Sequence, residues 1–556
     1  MGKQSLIAID TQHIHGYVYE TDRLQEIRGA SAILDRLNRR TMEYIARKEY
    51  GGRQVFANGG AGLFLIEGDE TRAKEYGEHI QREFRKNSYG GASIAYAFQE
   101  LPDGKDAWND DTRLERNLLR YKLAQKKSEA PAIVSLPSHP FLRPCSACGT
   151  RYAEYHDPSE AGDPVSQSNR YCGVCREKRF EDDRIKSGIY HVIKKSEDVE
   201  KPFAWERVIG GLTDEYKNRI PEDTERPPDF NELRGITGGK DYLALIYADG
   251  NGMGQLLDKL ETLTLVRDTA ENIDNAIFTA MSAAVSEHLE IVTREGSTPP
   301  RFPFDMLLMG GDDAMIVTPA PQALDVACTL AKKFHDETQK HDPEKKARTL
   351  SIGVVFAPVK YPFGLLYDLA TETLRYAKKE GIKRQHPDSK YGDGTFINFM
   401  SVTGSTSLSF EKIYKSLHDK HVNDEARDVA LYATLRPYTV EELEMLLTAI
   451  REGKRLGLGR TKLHQVREAV LKMNLTASVH EGMALLNSWR EEQQDFVTRH
   501  VYTLGNHYQQ AHREAGKPGT AFPRVTFPWF GDGPRTYRTS LNDFTELYDF
   551  VAQEEG

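Results

Sequence analysis

Apolar and polar residues along the chain follow two patterns, one typical of strands and one typical of helices. Between residues 241 and 400, short apolar runs alternate with longer segments whose apolar residues recur every three or four positions. The runs predict strands at 243–248, 349–357 and 395–399 and a hairpin at 305–318, and the longer segments predict helices at 269–295, 321–338 and 362–380. This order is typical of an antiparallel sheet with helices on one face, as in ferredoxin-like folds.

A similar order occurs near the N-terminus. A strand-like run at 6–10 precedes a helical stretch, and FANGGAGLFLI resembles LLMGGDDAMIV as LIAIDTQHIHG resembles ALIYADGNGMG. The spacings of the two matches differ by an amount typical of a loop. We therefore predict two copies of one unit, the first with Ala61 and Gly62 where the second has two aspartates. Chance similarity between short apolar strands is the alternative.

The same patterns divide the chain into five parts and predict an α+β fold. The parts are a first sheet domain, a cysteine region, a charged connector, a second sheet domain and a mostly helical C-terminal domain, at 1–135, 136–185, 186–240, 241–400 and 401–556. In the last part, Leu443, Leu446, Leu447 and Ile450 form one apolar stripe.

The composition is that of a soluble globular protein, with 39% hydrophobic and 28% charged residues among 556. No segment approaches the roughly 18 apolar residues that a membrane span needs, and the apolar run at the N-terminus is too short for a signal peptide. We therefore expect a cytoplasmic protein without a membrane partner. The net charge of -9 argues against wholesale coating of nucleic acid but leaves room for local basic patches.

Two adjacent aspartates, Asp312 and Asp313, lie at the tip of the predicted hairpin. Their mutual repulsion is relieved if a cation lies between them, and hard cations such as Mg²⁺ take carboxylate oxygens and substrate phosphates as ligands. Asp249 ends the first strand of the same unit. If that strand lies beside the hairpin, the three acids would hold two metal ions across a phosphoryl transfer. The alternative is a solvated Asp-Asp turn.

The residues around these acids favour nucleotide binding. Gly310 and Gly311 allow a tight turn and a close approach of a nucleotide to the backbone. Gly250 and Asn251 follow Asp249 and lead into a predicted helix, where exposed backbone N–H groups favour phosphate.

Four of the five cysteines form two pairs, CSAC and CGVC. Their spacing lets the two thiolates of each pair bind one ion, and four thiolates complete a tetrahedral structural zinc site. The sequence therefore predicts one Zn²⁺ held by Cys145, Cys148, Cys172 and Cys175. We expect the fifth, Cys328, to lie in the core.

The motifs YADGNGMG and MGGDDAMIV, followed by LSIGVVF and LLYDLATETLRYAKKEG, resemble those of palm-type nucleotidyl cyclases. The last two segments are also similar to the pattern of GGDEF diguanylate cyclases. The GGDD form, the degenerate first unit and the cysteine insert together more closely resemble the large polymerase-like subunit of type III CRISPR effector complexes. The resemblance covers roughly residues 1–400 and is stronger for the second unit.

This resemblance implies two palm domains with a zinc motif between them, the first a non-catalytic partner of the second. It implies that Asp249, Asp312 and Asp313 hold Mg²⁺ or Mn²⁺ and that Lys378 meets the nucleotide phosphates. Helical periodicity puts Lys378 at the rim of a buried stripe, and an ordinary solvated lysine is the alternative. Nucleotide sites are expected near two sets of residues, Asn58, Gly59 and Gly60 in the first palm and Gly310 to Asp313 in the second.

The activity implied is the joining of ATP into cyclic oligoadenylates, by attack of a 3′-hydroxyl on an α-phosphate, within an RNA-guided antiviral defence complex. The implied partners are other subunits of that complex, with guide and target RNA contacted indirectly. The alternatives are a GTP-using, diguanylate-cyclase-like enzyme and a mainly structural scaffold subunit. Because the first palm starts at residue 5, no HD nuclease domain is expected. Basic segments at 454–462 and 527–540 suit RNA contact, or are solvated loops with a buried aromatic anchor.

Overall fold

The computed structural model describes residues 3–129, 141–156, 169–186, 203–237, 240–292, 299–342, 345–384, 390–391, 394–402, 410–412, 414, 420–424, 427–472, 474–511, 527–533 and 535–552. Within them the chain forms an α+β fold built on two large sheets. None of the helices described is long and apolar enough to cross a membrane.

The first sheet is antiparallel, with its four strands in the order β2-β3-β1-β4. The strands are β1 (Gln4–Gln12), β2 (Arg53–Asn58), β3 (Ala61–Glu67) and β4 (Ser93–Glu100). The helices are α1 (Ile14–Val18), α2 (Leu24–Arg36), which continues through a π turn (Leu37–Thr41) into α3 (Met42–Glu49), then α4 (Glu70–Asn87) and α5 (Arg113–Ser128).

The middle of the chain packs against both sheet domains, with the cysteine region against the first and the segment from α7 to β7 against the second. It contains a small hairpin of β5 (Tyr155–His156) and β6 (Arg170–Tyr171), then α6 (Gly173–Lys186), α7 (Ala204–Gly210), α8 (Asp214–Arg219), a 3₁₀ turn (Phe230–Leu233) and β7 (Gly235–Thr237). The backbone of α6 lies so close to α2 that a methyl group on Gly29 would overlap the carbonyl oxygen of Lys178.

The second sheet has the order β12-β11-β8-β10-β9, with β7 paired to β8. Its strands are β8 (Lys240–Gly250), β9 (Asp305–Gly310), β10 (Asp313–Pro319), β11 (Leu350–Pro358) and β12 (Phe396–Ser401). Its helices are α9 (Met253–Lys259), α10 (Leu263–His288), α11 (Ala323–His341) and α12 (Phe363–Arg384). The α10 helix begins earlier than the sequence predicts because Thr262 caps it, accepting a hydrogen bond from the Leu265 N–H.

The two sheets share one topology, since β1 to β4 and β8 to β11 follow the same order of elements and the same order of strands. This confirms the predicted duplication. The second sheet departs from the prediction in having helices on both faces. Helices α10 and α11 pack on one face, and α12 and the first sheet domain pack on the other. The reason is visible in β8, where every residue from Tyr242 to Ala248 is buried.

The C-terminal part is mostly helical, as predicted, and its apolar stripe on α13 is fully buried. The helices are α13 (Val440–Arg455), α14 (Arg460–Leu471), α15 (Leu475–Asn487), α16 (Glu491–Ala511) and α17 (Leu541–Leu547). A four-stranded sheet accompanies them, made of β13 (Lys420–Asp424), β14 (Arg427–Tyr432), β15 (Phe530–Gly533) and β16 (Thr536–Arg538). Trp529 is fully buried, so the aromatic part of the 527–540 segment is an anchor.

Candidate active site at the GGDD hairpin

The three predicted acids meet at one edge of the second sheet. Asp249 is the penultimate residue of strand β8, and the antiparallel register places it directly opposite Asp313, the first residue of β10. Asp313 is also paired with Gly310 across the hairpin, which leaves Gly311 and Asp312 as the two residues of the turn. Gly311 has a φ of +68°, a conformation in which glycine is favoured. The predicted pairing of strand end and hairpin tip is therefore present.

Gly250 lets Asp312 approach the end of β8. Its backbone N–H donates to the carbonyl oxygen of Asp312 over 3.2 Å. A methyl group on Gly250 would lie 2.7 Å from both Cβ and Oδ2 of Asp312. Any side chain here would displace the acid, so Gly250 has a role in building the site, and its N–H, which the sequence assigned to phosphate, is used by Asp312.

Burial and mutual repulsion make two of the carboxyl groups hard to ionise. Burial and the neighbouring Asp313 charge raise the pKa of Asp312 to about 7, and burial raises the pKa of Asp313 to about 6. Such a pair is stabilised by a cation that takes oxygen ligands. The donor set of Asp249, Asp312 and Asp313 thus fits a divalent metal such as Mg²⁺ or Mn²⁺.

Lys378 reaches the same edge from α12. Its ammonium group contacts the Asp249 carboxylate and donates to the carbonyl oxygen of Gly250 over 3.1 Å. The side chain is 30% exposed, which agrees with the predicted position at the edge of the buried stripe of α12. Burial lowers the pKa of Lys378 to about 8 even though an anion lies beside it. The loss of hydration outweighs the attraction of one carboxylate, and a phosphate ligand would add further stabilising charge.

The side chain of Asn251 is engaged within the protein. Its amide donates to Thr349 Oγ1 over 3.0 Å and to the Gly394 carbonyl over 2.7 Å, and its oxygen accepts from Ser351 over 2.8 Å. These bonds join the loop after β8 to the start of β11 and to the segment before β12. The backbone N–H of Asn251 also donates, to the Thr349 carbonyl over 2.9 Å. Asn251 therefore braces the site, and the predicted contact of its N–H with phosphate is not available in this structure.

The backbone of the hairpin turn is hydrogen-bonded to an acidic residue that the sequence analysis did not single out. The N–H of Gly311 donates to Asp274 Oδ1 over 2.9 Å, and the same carboxylate receives two hydrogen bonds from Arg39 of the first domain, at 2.8 and 3.1 Å. Asp274 lies on α10, 37 residues before the turn, and its partner Arg39 is 235 residues away in sequence. No local motif links residues so far apart.

The equivalent hairpin of the first domain lies beside the GGDD turn. A methyl group on Gly59 would lie 3.3 Å from the Gly310 carbonyl oxygen, and one on Gly311 would lie 3.4 Å from Asn58 Oδ1. Asn58 to Gly60 and Gly310 to Asp313, both expected near nucleotides, therefore lie together at the junction of the two domains.

The register corrects the predicted alignment of the two hairpins by one residue. Asn58 pairs with Ala61 as Gly310 pairs with Asp313. Gly60 and Ala61, and not Ala61 and Gly62, therefore occupy the places of the two acids. Sequence matching aligned the glycine pairs, whereas the strand pairing fixes the turn.

The four paired cysteines converge as predicted. Their sulfur atoms all lie within 4.8 Å of one another. Among the described residues, no other group of three or more Asp, Glu, His or Cys side chains brings its ligand atoms this close together. The sulfurs of Cys148 and Cys172 are 4.0 Å apart. Four thiolates around one point fit a tetrahedral zinc ion with no open position. Cys328 is buried in the core, as expected.

Comparison with known proteins identifies the domain that carries the acids. Residues 242–386 match the family model of Cas10/Cmr2, second palm domain. These residues form a Cas10-type palm. No curated protein sequence matches the chain.

Solved structures extend the similarity to most of the chain. A chain of the Csm1–Csm4 cassette in complex with cA4 aligns with a TM-score of 0.51 and 14% identity, covering 90% of this chain and 67% of that one. The cassette in complex with pppApApA gives 0.52 and 15%, with 92% and 67% covered. Csm1 in T. onnurineus gives 0.50 and 16%, with 90% and 64% covered. At this level of identity the comparisons establish a shared fold, which contains the Cas10-type palm.

Proposed function

We propose that the chain is a metal-dependent nucleotidyl cyclase that joins ATP into cyclic oligoadenylates as a subunit of an RNA-guided complex. The observation that carries the proposal is the meeting of Asp249, Asp312 and Asp313 at one sheet edge of a Cas10-type palm. Their carboxyl groups are half-buried, and because the pKa values of Asp312 and Asp313 are raised, this pair favours a cation between its charges.

In this proposal Asp249, Asp312 and Asp313 hold Mg²⁺ or Mn²⁺. When bound, the metal supplies a Lewis acid that stabilises charge on the phosphoryl oxygens and leaving group. Lys378 braces the triphosphate, because its ammonium is partly buried beside the acids and retains unused hydrogen-bonding capacity. Gly310 and Gly311 present backbone to which a nucleotide comes close, and Gly250 keeps Asp312 in place.

The first palm would hold the second nucleotide without catalysing the reaction. Its hairpin, Asn58 to Gly60, lies beside the GGDD turn, yet Gly60 and Ala61 replace the two acids. Two nucleotides at this junction would bring the 3′-hydroxyl of one towards the α-phosphate of the other, which is the geometry that joining requires.

Adenine and the partner are proposed from the similar structures. These include Csm1–Csm4 cassettes in complex with cA4, with cA3, with pppApApA and with one ATP. We extend ATP as substrate, and a Csm4-like subunit as partner, to this chain. Contact with guide and target RNA through the assembled complex, and a structural zinc ion at the four cysteines, belong to the same proposal.

The direct test is incubation of the purified protein with each labelled nucleoside triphosphate in turn, with Mg²⁺ or Mn²⁺, with and without RNA and partner subunits. The proposal predicts cyclic products from ATP that disappear on removal of divalent metal. Products from GTP alone would instead favour the diguanylate-cyclase-like alternative. A complex that assembles correctly and makes no product under any of these conditions would favour a scaffold role.

A further inference from the structure

The carboxylate of Asp274 joins three separate parts of the protein. Its Oδ1 accepts the N–H of Gly311 in the GGDD turn, and both of its oxygens accept hydrogen bonds from Arg39 of the first palm. Arg207, on α7 of the middle region, donates to Oδ2 over 2.5 Å. Asp274 is only 8% exposed, so these bonds form away from bulk water, where such contacts are strong.

Arg39 touches the catalytic hairpin as well as Asp274. A methyl group on Gly310 would lie 3.0 Å from an Arg39 guanidinium nitrogen and 3.2 Å from the Gly59 N. Arg39 also forms an ion pair with Asp35, which fixes it to its own helix. The guanidinium of the first palm therefore lies against the GGDD turn and is held there by Asp35 and Asp274.

The arrangement has the features of a positioning device. The two arginines compensate the buried charge of Asp274 and hold its pKa at about 2, although burial acts in the opposite direction. The charged carboxylate of Asp274 accepts the N–H of Gly311. As a glycine, Gly311 has the greater backbone freedom of the two turn residues, the other being Asp312. The turn is also held by the pairing of Gly310 with Asp313 and by the bond from the Gly250 N–H to the Asp312 carbonyl, but the bond to Asp274 is the one that holds the N–H of Gly311, whose φ is +68°.

We propose that Asp274, together with Arg39, is a positioning element through which the first palm fixes the GGDD turn in its catalytic geometry. The inference rests on the proposed nucleotidyl cyclase activity of that turn. It assigns the first palm a mechanical role in catalysis in addition to nucleotide binding. An error of about 1 Å in the position of a catalytic group costs up to about 100-fold in rate.

The test uses the whole chain with four variants and two measurements. Asp274→Asn keeps the size and removes the charge, Arg39→Gln removes the contact from the first palm, and Arg39→Lys restores a cation at the same place. The control is Asp325→Asn, which breaks another aspartate–arginine pair, to Arg451. Asp325 lies on α11 beyond the far end of β10, about 20 Å from the turn at 3.4 Å per residue.

The first measurement is amide hydrogen exchange of the peptide that contains Gly310 to Asp313, which needs no activity. The second is kcat and KM for ATP. We expect Asp274→Asn and Arg39→Gln to accelerate exchange in this peptide and to lower kcat by about 10-fold or more, with KM changed far less. Arg39→Lys should recover part of the loss, and Asp325→Asn should match the parent in both measurements.

Exchange and kcat that both stay at parental values in Asp274→Asn and Arg39→Gln would overturn the inference. So would a loss of kcat without faster exchange at the hairpin. If Asp274→Asn does not fold, the two variants Arg39→Gln and Arg39→Lys test the inference by the same criteria. If the parent itself makes no product, the proposed activity fails while the exchange data still decide whether Asp274 and Arg39 hold the turn.

Discussion

Lys127 donates a hydrogen bond to Asp10 over 2.5 Å, at the place in the first palm that corresponds to the contact of Lys378 with Asp249 in the second. Asp10 lies opposite Ala61 as Asp249 lies opposite Asp313, and the two lysines come from the helices that follow β4 and its counterpart β11. The first palm has thus lost the acid pair of its hairpin but kept the aspartate–lysine pair beside it.

This correspondence predicts separate effects for the two lysines. Lys378→Ala should lower turnover of ATP moderately, because it removes one phosphate contact and leaves the acids. Lys127→Ala should raise KM several-fold with less effect on kcat, because it weakens the proposed second nucleotide site. Steady-state kinetics with ATP measure both, and Lys126→Ala, an exposed neighbour paired with Glu129, is the control. An unchanged KM in Lys127→Ala would contradict a role of the first palm in nucleotide binding.

The cysteine cluster predicts about one zinc per chain in metal analysis. Cys145→Ser combined with Cys172→Ser should abolish zinc binding and destabilise the region between the two palms, because metal affinity contributes directly to folding. Limited proteolysis with metal analysis of the same sample checks both effects. Cys328→Ala, which empties a core position far from the cluster, should keep its zinc. A folded, protease-resistant chain without zinc would contradict the assignment.

The contacts of Arg28 predict that the cysteine region and β9 of the GGDD hairpin stabilise each other. It lies on α2 and is fully buried, and it bonds to Asp182 of α6 and to Asp305, the first residue of β9. Arg28→Met should lower the free energy of unfolding by about 3–5 kcal/mol, because it leaves two buried carboxylates short of a partner. Urea denaturation measures this loss. Arg120→Met, which breaks a largely exposed pair with Asp258, should have little effect.

The burial of His500 predicts that the C-terminal domain loses stability in acid. It is buried between Phe496 and Phe544, its Nε2 has no hydrogen-bond partner among the described residues, and burial lowers its pKa to about 4. The unfolded value is about 6.5. The neutral form is favoured by folding, so this contribution is complete above about pH 6.5 and is lost as the pH falls towards 4.

Denaturation of the parent and of His500→Phe at several pH values tests this contribution. The variant should lose the part of the pH dependence between 6.5 and 4 that His500 causes, at most about 1.4 kcal/mol per pH unit. His480→Gln, at an exposed position of α15, should keep the parental dependence. Parallel curves for the parent and His500→Phe would show that His500 does not titrate on unfolding.

The sequence predicted those features that depend on local pattern. The buried strands, the hairpin and the stripe beside Lys378 on α12 follow from apolar spacing, and that stripe, which includes Leu366, Leu369 and Ala370, is buried. The thiolate cluster follows from cysteine spacing alone. The C-terminal sheet was missed because β14 pairs with β16, which is three residues long and more than 100 residues away.

The support of the candidate site could not be predicted for the same physical reason. Asp274, on one helix among several, resembles any acidic residue until folding brings Arg39 and Gly311 to it. Asn251 was expected to face phosphate from its place before a helix, but its side chain is used by Thr349 and Ser351. The carboxylates that meet at a strand end were predictable, whereas the residues that hold them in place were not.

The central claim is that Asp249, Asp312 and Asp313 act together as the metal-binding centre of a cyclase. The most direct measurement is the rate at which the Asp312→Asn, Asp313→Asn double variant converts labelled ATP into cyclic or linear oligoadenylate, under conditions in which the parent is active. The variant keeps the size of both side chains, so it should fold like the parent while turnover falls by orders of magnitude. A double variant that converts ATP as fast as the parent would contradict the account.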